Sequence, residues 1–504
     1  MINSRPLKIV FLLVGALLFN YLFWGHPPGV NLTLFSTYLL VIVVLFHRKS
    51  LSRIPVLASI AAVLITSLAF TYHGSGYTFV IHFVSIFILV GFINQQGLRS
   101  IPFALPTALV NFWLLPSKFV KAIKEMETKS FRISSVFRFI RIAVIPVVLL
   151  LVFVFIFSVA NPIFEGFIVD ISEWFYDLMI TLFDEETIFR SLFILWGTSL
   201  VAWVLIKNDV GGFASRESKL SEWITRTRKP RAIRHQTSNV LRSTYSLPKR
   251  NPLGLKNEYR SALILLVCVN LLIAIVNGID INWIWFGFEY DGEMSLSNFV
   301  HEGTFFLILS IFLSMAIMLY YFRKNQNFYY KRKFLLVLAS IWIAQNAIMV
   351  ISVALRNIHY IEYYGLAYKR IGVFFFLAAT LFGLLTLTIK IHKRKSGFYL
   401  WRVNAWSVLA VLVISSSIYW DGIIAKYNLE HQSVTVLDES FLFSLSNGVL
   451  PLLDSELRSY SSKKMLDSNT SRFVYNYEAL SWQSWNYVDY QAFNYLKNNN
   501  HENR

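Results

Sequence analysis

The sequence predicts an all-α protein, a polytopic transmembrane helix bundle with about 11 spans and a small extracytoplasmic C-terminal region. Three observations predict this class. The 504 residues are 55% hydrophobic and only 15% charged, with a mean hydropathy of +0.51, whereas soluble domains are about 25% charged. The apolar residues form long runs, and the basic residues are concentrated in particular segments between these runs. This combination is typical of multi-pass membrane proteins.

The apolar runs give the number of spans. A helix needs roughly 20 apolar residues to cross about 30 Å of hydrocarbon. Eleven runs meet this need, at about 8–24, 32–46, 54–72, 77–93, 141–160, 190–206, 261–279, 303–322, 334–355, 371–391 and 403–419. A further run at 101–115 is short and contains Pro102 and Pro106, with Pro116 directly after it. Because prolines interrupt helices, we expect this run to lie at the inner surface rather than to span.

The distribution of Lys and Arg predicts the sidedness of the chain. With the N-terminus placed inside, the inner segments hold 36 of the 47 basic residues. The outer segments 161–189 and 280–302 contain no Lys or Arg, but 7 and 5 acidic residues respectively. Basic residues in short loops stay on the cytoplasmic side of a membrane. We therefore expect a cytoplasmic N-terminus and an extracytoplasmic C-terminus.

This topology divides the chain into six regions. They are an N-terminal four-span region at 1–95, a basic cytoplasmic or interfacial segment at 96–140, two spans with an outer amphipathic helix at 141–206, a basic cytoplasmic loop at 207–260, a five-span core at 261–425 and the extracytoplasmic C-terminal region at 426–504. The amphipathic helix is predicted at 163–183, because its apolar residues recur at helical spacing and its acidic residues take another face. We expect it to lie on the outer membrane surface.

The segments outside the spans predict the partners. The spans contact the lipid bilayer, and the 207–260 loop holds 13 basic and 4 acidic residues, a net charge of +9. We expect this loop to contact anionic lipids at the cytoplasmic face, and we expect no nucleic acid partner. The tail contains an aromatic cluster, which is typical of a membrane interface or of a small core: Trp482, Trp485, Tyr487, Tyr490, Phe493 and Tyr495. A protein partner bound through the C-terminal region is a further expectation.

Motifs for catalysis, cofactors and metals are missing from the sequence. No phosphate-binding loop ending in Gly-Lys-Ser/Thr occurs, and His301-Glu302 lacks the second histidine of a zinc motif. The single cysteine, Cys268, excludes an intrachain disulfide. His82 lies in the middle of a span, and we expect such a lone imidazole to be a hydrogen-bonded packing residue. We therefore assign no catalytic residue, no cofactor and no metal site.

Polar side chains recur near the predicted outer ends of the last five spans. Residues 356–370 form the only short outer loop with positive charge. An unpaired charge in lipid costs about 2.5–3.5 kcal/mol on insertion scales, so we expect these side chains to face the bundle interior or to reach the surface. The candidate polar cluster consists of Asp280, Glu302, Gln345, Asn346, Arg356, Tyr360, Tyr364, Lys369, Arg370 and Asp421.

Two interpretations of this cluster remain open. The first is a polar clasp between helices, in which arginine–carboxylate pairs fix the packing of the last five spans. The second is a binding site for an anionic ligand or lipid headgroup, with Arg356 and Arg370 as its positive end. A simpler interpretation also applies to Gln345 and Asn346, because amide side chains often form hydrogen bonds between transmembrane helices.

Short motifs between about 250 and 450 are similar to a known family. They are Glu302-Gly303-Thr304, Asn327-Phe328, Trp342-Ile343-x-Gln345-Asn346, Arg356-Asn357-x-x-Tyr360-Ile361, Tyr364-Gly365-Leu366-x-Tyr368-Lys369-Arg370-Ile371-Gly372-Val373, Trp420-Asp421 and Tyr427-Asn428-Leu429. In this order they resemble a family of bacterial polytopic membrane proteins catalogued as domain of unknown function 4173, close to the 4153 group. The resemblance implies a protein of the bacterial cytoplasmic (inner) membrane. It implies no substrate, reaction or catalytic residue.

We interpret the chain as a non-enzymatic integral membrane protein that acts in envelope assembly, sensing or scaffolding through its outer surface and tail. One alternative is a secondary transporter for an anionic solute or lipid headgroup. Another is a membrane-embedded transferase or hydrolase, with Asp280 or Glu302 as base and an arginine stabilising negative charge. A deep, wet pocket lined by the cluster favours these alternatives, whereas paired charges in an apolar interior favour the first interpretation.

Overall fold

The computed structural model describes residues 5–126, 134–182, 184–207, 212–226, 252–287, 296–431, 438–456 and 460–502. Within these ranges the chain is all-α, without β-strands, and an isolated bridge pairs Trp223 with Lys395. The all-α prediction is confirmed for the described residues.

The helices follow one another throughout the described ranges. The first nine are α1 (Arg5–Phe23), α2 (Val30–Phe46), α3 (Ile54–His73), α4 (Gly76–Asn94), α5 (Ile101–Met126), α6 (Ser134–Ala160), α7 (Pro162–Leu182), α8 (Glu185–Leu205) and α9 (Phe213–Ser218). The others are α10 (Pro252–Asp280), α11 (Leu296–Tyr321), α12 (Arg332–Tyr364), α13 (Tyr368–Lys393), α14 (Gly397–Ser416), α15 (Trp420–Glu430), α16 (Glu439–Phe443), α17 (Leu450–Glu456), α18 (Tyr460–Glu478) and α19 (Tyr487–Glu502).

Eight of the described helices are long and apolar enough to cross a membrane, namely α1, α3, α4, α8, α10, α12, α13 and α14. They indicate a multi-pass membrane protein. Shorter apolar helices occupy Val30–Phe46, Pro146–Ala160 and Phe305–Tyr321, and these coincide with the three remaining predicted spans. The count of eleven spans therefore stays a prediction.

The chain forms two compact units. Unit 1 comprises Met1–Arg99, Phe103–Ser215 and Tyr477–Tyr490, and unit 2 comprises Ser100–Pro102, Arg216–Asn476 and Gln491–Arg504. Below, inner and outer denote the helix ends as the charge distribution predicts them.

Two predicted non-spanning segments of unit 1 are helical. The proline-containing run at 101–115 is the first part of the longer helix α5, which contains Pro106 and Pro116. This part of α5 packs at the inner ends of α4 and α8, where the Trp203 indole donates to the carbonyl of Ala108 at 2.9 Å. The predicted amphipathic helix is present as α7, directly after α6. That either helix lies on a membrane surface remains a prediction.

The tail segment Tyr477–Tyr490 belongs to unit 1 and packs on its outer loops. The amide of Val30 donates to the carbonyl of Trp485 at 2.8 Å. The Ser484 hydroxyl donates to the carbonyl of Pro27 at 2.9 Å. These main-chain atoms carry no sequence signal, so the sequence could not predict where the tail would pack.

Aromatic rings extend this contact of the tail. Tyr487 stacks on Tyr72 with ring centroids 5.4 Å apart, and Trp482 lies 6.4 Å from Tyr21. Two members of the predicted aromatic cluster therefore pack against the ends of α1 and α3. Both rings stay partly exposed.

Helices α10 and α12 of unit 2 are parallel neighbours. The Asn270 amide donates to the carbonyl of Leu338 at 3.1 Å, and the Asn277 amide donates to the carbonyl of Gln345 at 3.0 Å. From the first hydrogen bond to the second, the donor and the acceptor each move seven residues towards the C-terminus, which is about 10 Å along a helix. The two helices therefore run parallel. The helix that joins them, α11, must run the opposite way, which is the alternation that three successive spans require.

The core of unit 2 fills the space between α10, α11, α12 and α13. Its buried side chains come from all four helices, for example Leu266, Ile311, Trp342 and Leu384. Outward-facing residues of the same helices are large and apolar, for example Leu271 and Leu385. Helices that are apolar on every face belong in lipid or in the core of a large protein, in agreement with their length.

The described start of the predicted basic loop packs on the turn between α13 and α14. Glu222 forms an ion pair with Arg402 at 2.7 Å, and its carbonyl accepts from the amide of Ser396 at 2.8 Å. Residues 227–251, which include much of the loop's positive charge, lie outside the described residues. Contact with anionic lipids therefore stays a prediction.

Candidate functional site

A buried ion pair joins α10 to α12 at their outer ends. Nη2 of Arg356 lies 2.7 Å from Oδ1 of Asp280, and the two side chains are only 9% and 6% exposed. Hydrogen bonds between charged groups are shorter and stronger than neutral ones. Removing one partner of such a buried pair costs about 3–5 kcal/mol, because the other charge is left uncompensated. The pair therefore fixes the contact between the two helices, and loss of either charge would destabilise that contact.

Residues beyond Asp280 make polar contacts with α12 on both sides of Arg356. Residues 281–285 extend α10 as a π-helical turn. Within this turn the Trp285 indole donates to Oγ of Ser352 at 3.1 Å. The carbonyl of Ile284 lies 3.3 Å from Nε2 of His359. The ion pair is therefore one of several contacts in a continuous helix interface.

Arg370 is bound by main-chain carbonyls and aromatic rings. Its guanidinium donates to the carbonyl of Tyr364 at 2.7 Å and also to that of Gly365. The same group lies 4.4 Å from the ring centroid of Tyr360 and 5.9 Å from that of Tyr364. Carbonyls at a helix C-terminus carry partial negative charge, and a cation is favoured there. The expectation of carboxylate partners thus fits Arg356, whereas Arg370 uses the end of α12.

A tight turn follows α12. Gly365 has φ +77°, in the region that favours glycine. The side-chain amide of Asn428 then binds both main-chain groups of Leu366: its Oδ1 accepts from the Leu366 amide at 2.6 Å, and its Nδ2 donates to the Leu366 carbonyl at 3.0 Å. A Cβ at residue 365 would lie 2.5 Å from Oδ1 of Asn428. The turn therefore needs glycine for its conformation and for space.

Asp421 joins α15 to α13 and to the chain beyond α16. Its Oδ1 accepts a hydrogen bond from the Tyr368 hydroxyl. Its Oδ2 accepts from the amide of Ser446 at 2.9 Å. The Ser446 hydroxyl is itself 3.1 Å from that of Tyr419. Both carboxylate oxygens thus bind groups of the chain itself.

Of the other predicted members, Asn346 and Gln345 lie further along α12 towards its inner end. Asn346 is ten residues before Arg356, or about 15 Å along a helix, and its amide donates to the carbonyl of Trp342 at 2.8 Å. Gln345 contributes its main-chain carbonyl to the bond from Asn277. Lys369 is exposed. The side chain of Glu302 lies outside the described residues.

Sequence reasoning missed several contributors, of which Asn277, Gly365 and Ser446 illustrate different causes. Asn277 lies three residues before Asp280, and residues at this spacing share a helix face, so it could have been found. Gly365 was noted only as part of a motif, although a glycine between two helices is a common signal for a left-handed turn. Ser446 binds through its main-chain amide, and such an atom has no sequence signal.

The chemistry of the cluster is that of internal pairing. Arg356 and Arg370 bind a carboxylate and carbonyls of the same chain, and the oxygens of Asp421 bind donors of the same chain. Across the described ranges, no group of three or more His, Cys, Asp or Glu residues is suited to a metal ion. The geometry favours a clasp between helices over a site with free cations.

Comparison with known proteins places the cluster within a family. A family model described as "Domain of unknown function (DUF4153)" matches residues 34–456. The match includes every residue of the candidate cluster and begins far upstream of the motifs that carried the resemblance. Assignment to the 4173 family is not confirmed. No curated protein and no solved structure matches the chain.

Proposed function

The chain belongs to the DUF4153 family, a family of unknown function, and on that premise we propose that it is a non-enzymatic membrane protein acting in envelope assembly, sensing or scaffolding. The observation that carries the proposal is the internal pairing of the outer cluster. Arg356 is bound by Asp280, and Arg370 by the end of α12. In this account the cluster fixes the outer ends of α10, α12, α13 and α15.

The pairing argues against an anion site. A ligand that took Arg356 would leave the Asp280 carboxylate buried without its partner, and breaking such a pair costs about 3–5 kcal/mol. A ligand that took Arg370 would have to replace two carbonyls and the ring of Tyr360. Both costs oppose transport of an anion and oppose stabilisation of negative charge in an enzyme.

The proposal includes about eleven spans in a bacterial cytoplasmic membrane, with the N-terminus inside and the C-terminus outside. Trp485 and Ser484 of the tail pack on the loop at residues 27–30. This contact supports the proposed placement of the C-terminal region on the outer side. The tail then lies on the same side as the loop between α1 and α2. The charge count assigns that side to the exterior.

The proposed working surface is the exposed outer part of the C-terminal region. Trp482 is 54% exposed and Tyr490 is 41% exposed, and both belong to unit 1. Tyrosine and tryptophan are enriched at the centres of protein interfaces. We propose a protein partner for this surface.

Complementation in the native host tests the proposal. A strain that lacks the gene receives either the wild-type chain, the charge swap Asp280→Arg with Arg356→Asp, or Trp482→Ala with Tyr490→Ala. We expect the swap to retain most function, because it keeps an ion pair in place. We expect the aromatic variant to lose function at an unchanged membrane level, measured by immunoblot.

A different result would support the transporter. If the swapped chain is folded and abundant but inactive, the arginine itself is needed at its position. Uptake of labelled phosphate into proteoliposomes that falls on Arg370→Ala, with unfolding temperature retained, would contradict the proposal.

A further inference from the structure

Unit 1 contains an apolar cavity that its packing does not fill. The cavity has a volume of about 230 Å³ and is lined by side chains of α1, α2, α4 and α8 and of the loop after α1. Phenylalanines dominate the lining, among them Phe19, Phe35, Phe79 and Phe83. A cavity of about 150 Å³ with such a lining stays dry and binds small apolar molecules. This cavity is larger.

The polar groups deep in the wall are already satisfied. His82 is fully buried, with Nε2 lying 2.8 Å from Oγ of Ser36 and Nδ1 lying 3.0 Å from Oγ1 of Thr66. The Ser36 hydroxyl is also 2.7 Å from the carbonyl of Leu32. His82 is therefore a hydrogen-bonded packing residue, as expected. A polar ligand would find no vacant partner among these groups.

The cavity is closed at its inner end and covered by a loop at its outer end. Trp203 lines its inner end and is held by its bond to the carbonyl of Ala108. His26 and Pro28 line its outer end. The tail secures this loop, since the hydroxyl of Ser481 lies 2.7 Å from Nδ1 of His26. An occupant that enters from the side leaves these contacts intact.

The side of the cavity between α4 and α8 is less well closed. Phe83 of α4 and Trp196 of α8 both line the cavity and both remain partly exposed. Helices α4 and α8 are long and apolar enough to span a membrane, so this side faces hydrocarbon in the account given above. Hydrocarbon chains are the molecules present there at high concentration.

We propose that the cavity in unit 1 binds the hydrocarbon chain of a lipid, which enters between α4 and α8. Burial of an apolar chain against aromatic walls is favourable by dispersion, even when both sides of the transfer are apolar. The headgroup would lie at the outer end, near His26 and Ser481. This site is independent of the polar cluster in unit 2.

Photolabelling of the full chain in lipid nanodiscs tests the proposal. One set of nanodiscs contains phosphatidylglycerol with a diazirine near the end of one acyl chain, and a second set contains a free fatty acid with the same group. We expect label on Leu32 and Leu39, which line the cavity and are buried. Label on the exposed residues of α6, such as Phe155, measures labelling by the surrounding bilayer lipid and serves as the reference.

A variant that fills the cavity is compared with the same substitution at an exposed residue of the same helix. Leu200 lines the cavity, whereas Leu195 on the same helix is exposed. We expect Leu200→Trp to lower the label on α2 by about tenfold, a loss of about 1.4 kcal/mol in affinity, and Leu195→Trp to leave it unchanged. Label on α6 should be the same in both variants.

A milder filling variant, Ile86→Phe, repeats the test from α4 if Leu200→Trp does not fold. Label from both lipids identifies the chain alone as the ligand, and label from one lipid identifies its source; each result supports the proposal. Label on α2 that is absent, or that stays unchanged in a folded filling variant, would overturn it, because surrounding lipid alone would then explain the labelling.

Discussion

At the scale of single residues, Gly365 does the most to shape the outer cluster. Its positive φ ends α12 and turns the chain towards α13. The bidentate contact of Asn428 with Leu366 then ties this turn to α15. Two segments that are 62 residues apart in sequence are joined by one amide side chain. The family motifs that contain these residues therefore meet in space.

We predict that Gly365→Ala destabilises the protein by about 1–3 kcal/mol, because it adds backbone strain and displaces the Asn428 side chain. The measurement is the unfolding free energy of the purified protein in detergent. Gly372→Ala is the control, since a Cβ there meets nothing within 4 Å. The control should be neutral or stabilising by up to about 1 kcal/mol, as expected for glycine within a helix. Equal effects of the two variants would contradict the role given to Gly365.

The sequence indicates the members of the cluster more readily than the groups that bind their side chains. Arg356 needed a carboxylate at its depth, and Asp280 supplies it. Arg370 was predicted to need the same, but it binds carbonyls and tyrosine rings instead. A carboxylate is visible in a sequence, whereas a carbonyl becomes an available acceptor only where a helix ends. The predicted span ended at 355, whereas α12 continues to Tyr364, so the prediction did not place these carbonyls beside Arg370.

At the scale of whole helices, four basic residues share one role. Arg53, Arg332, Lys390 and Arg370 each donate to main-chain carbonyls at the C-terminal end of an apolar helix, namely α4, α13, α11 and α12 respectively. Such cations compensate the partial negative charge of the helix end. In the predicted topology three of these ends are inner and that of α12 is outer. Arg370 is therefore an outer example of a common arrangement.

The sequence patterns did not predict where the tail packs. Its segment at 481–487 packs on the outer loops of unit 1, and Gly29 lies directly against the main chain of Ser484. Any side chain at residue 29 would collide with that main chain. The absence of a side chain thus permits the close approach of two loops.

We predict that Gly29→Ala separates the tail from unit 1. The amide of Val30, which donates to Trp485, should then exchange with deuterium at least about tenfold faster, a loss of about 1.4 kcal/mol of protection. Hydrogen exchange followed by mass spectrometry measures this change. Gly76→Ala is the control, since a Cβ there meets nothing within 4 Å. Unchanged exchange at Val30 would show that the tail does not depend on this contact.

Helix type was predicted more reliably than helix length. Each of the eleven predicted spans coincides with a helix, because apolar length and composition suffice to identify it. The lengths differ more: α12 continues to Tyr364, beyond the end predicted at 355, and α5 continues to Met126, beyond the end predicted for the 101–115 run. Its prolines stay within a helix that packs on α4 and α8, so tertiary contacts outweigh the local penalty of proline.

At the scale of the whole molecule, the account predicts which surfaces face the cytoplasm. In a Cys268→Ala background, a membrane-impermeant maleimide should label Tyr475→Cys in intact cells. Lys219→Cys should react only after the membrane is opened, because the basic segments remain inside. Both positions are exposed, so access alone decides the result. The reverse pattern would invert the topology, and labelling of both would contradict a single orientation.

The central claim is that the outer cluster is a clasp between helices, and a double-mutant cycle on Asp280→Asn and Arg356→Gln tests it most directly. The unfolding free energies of the wild type, both single variants and the double variant are measured in detergent. The account predicts that each single change costs about 3–5 kcal/mol and that the two effects are coupled by about 2 kcal/mol or more. Effects that add within about 0.5 kcal/mol would contradict the clasp.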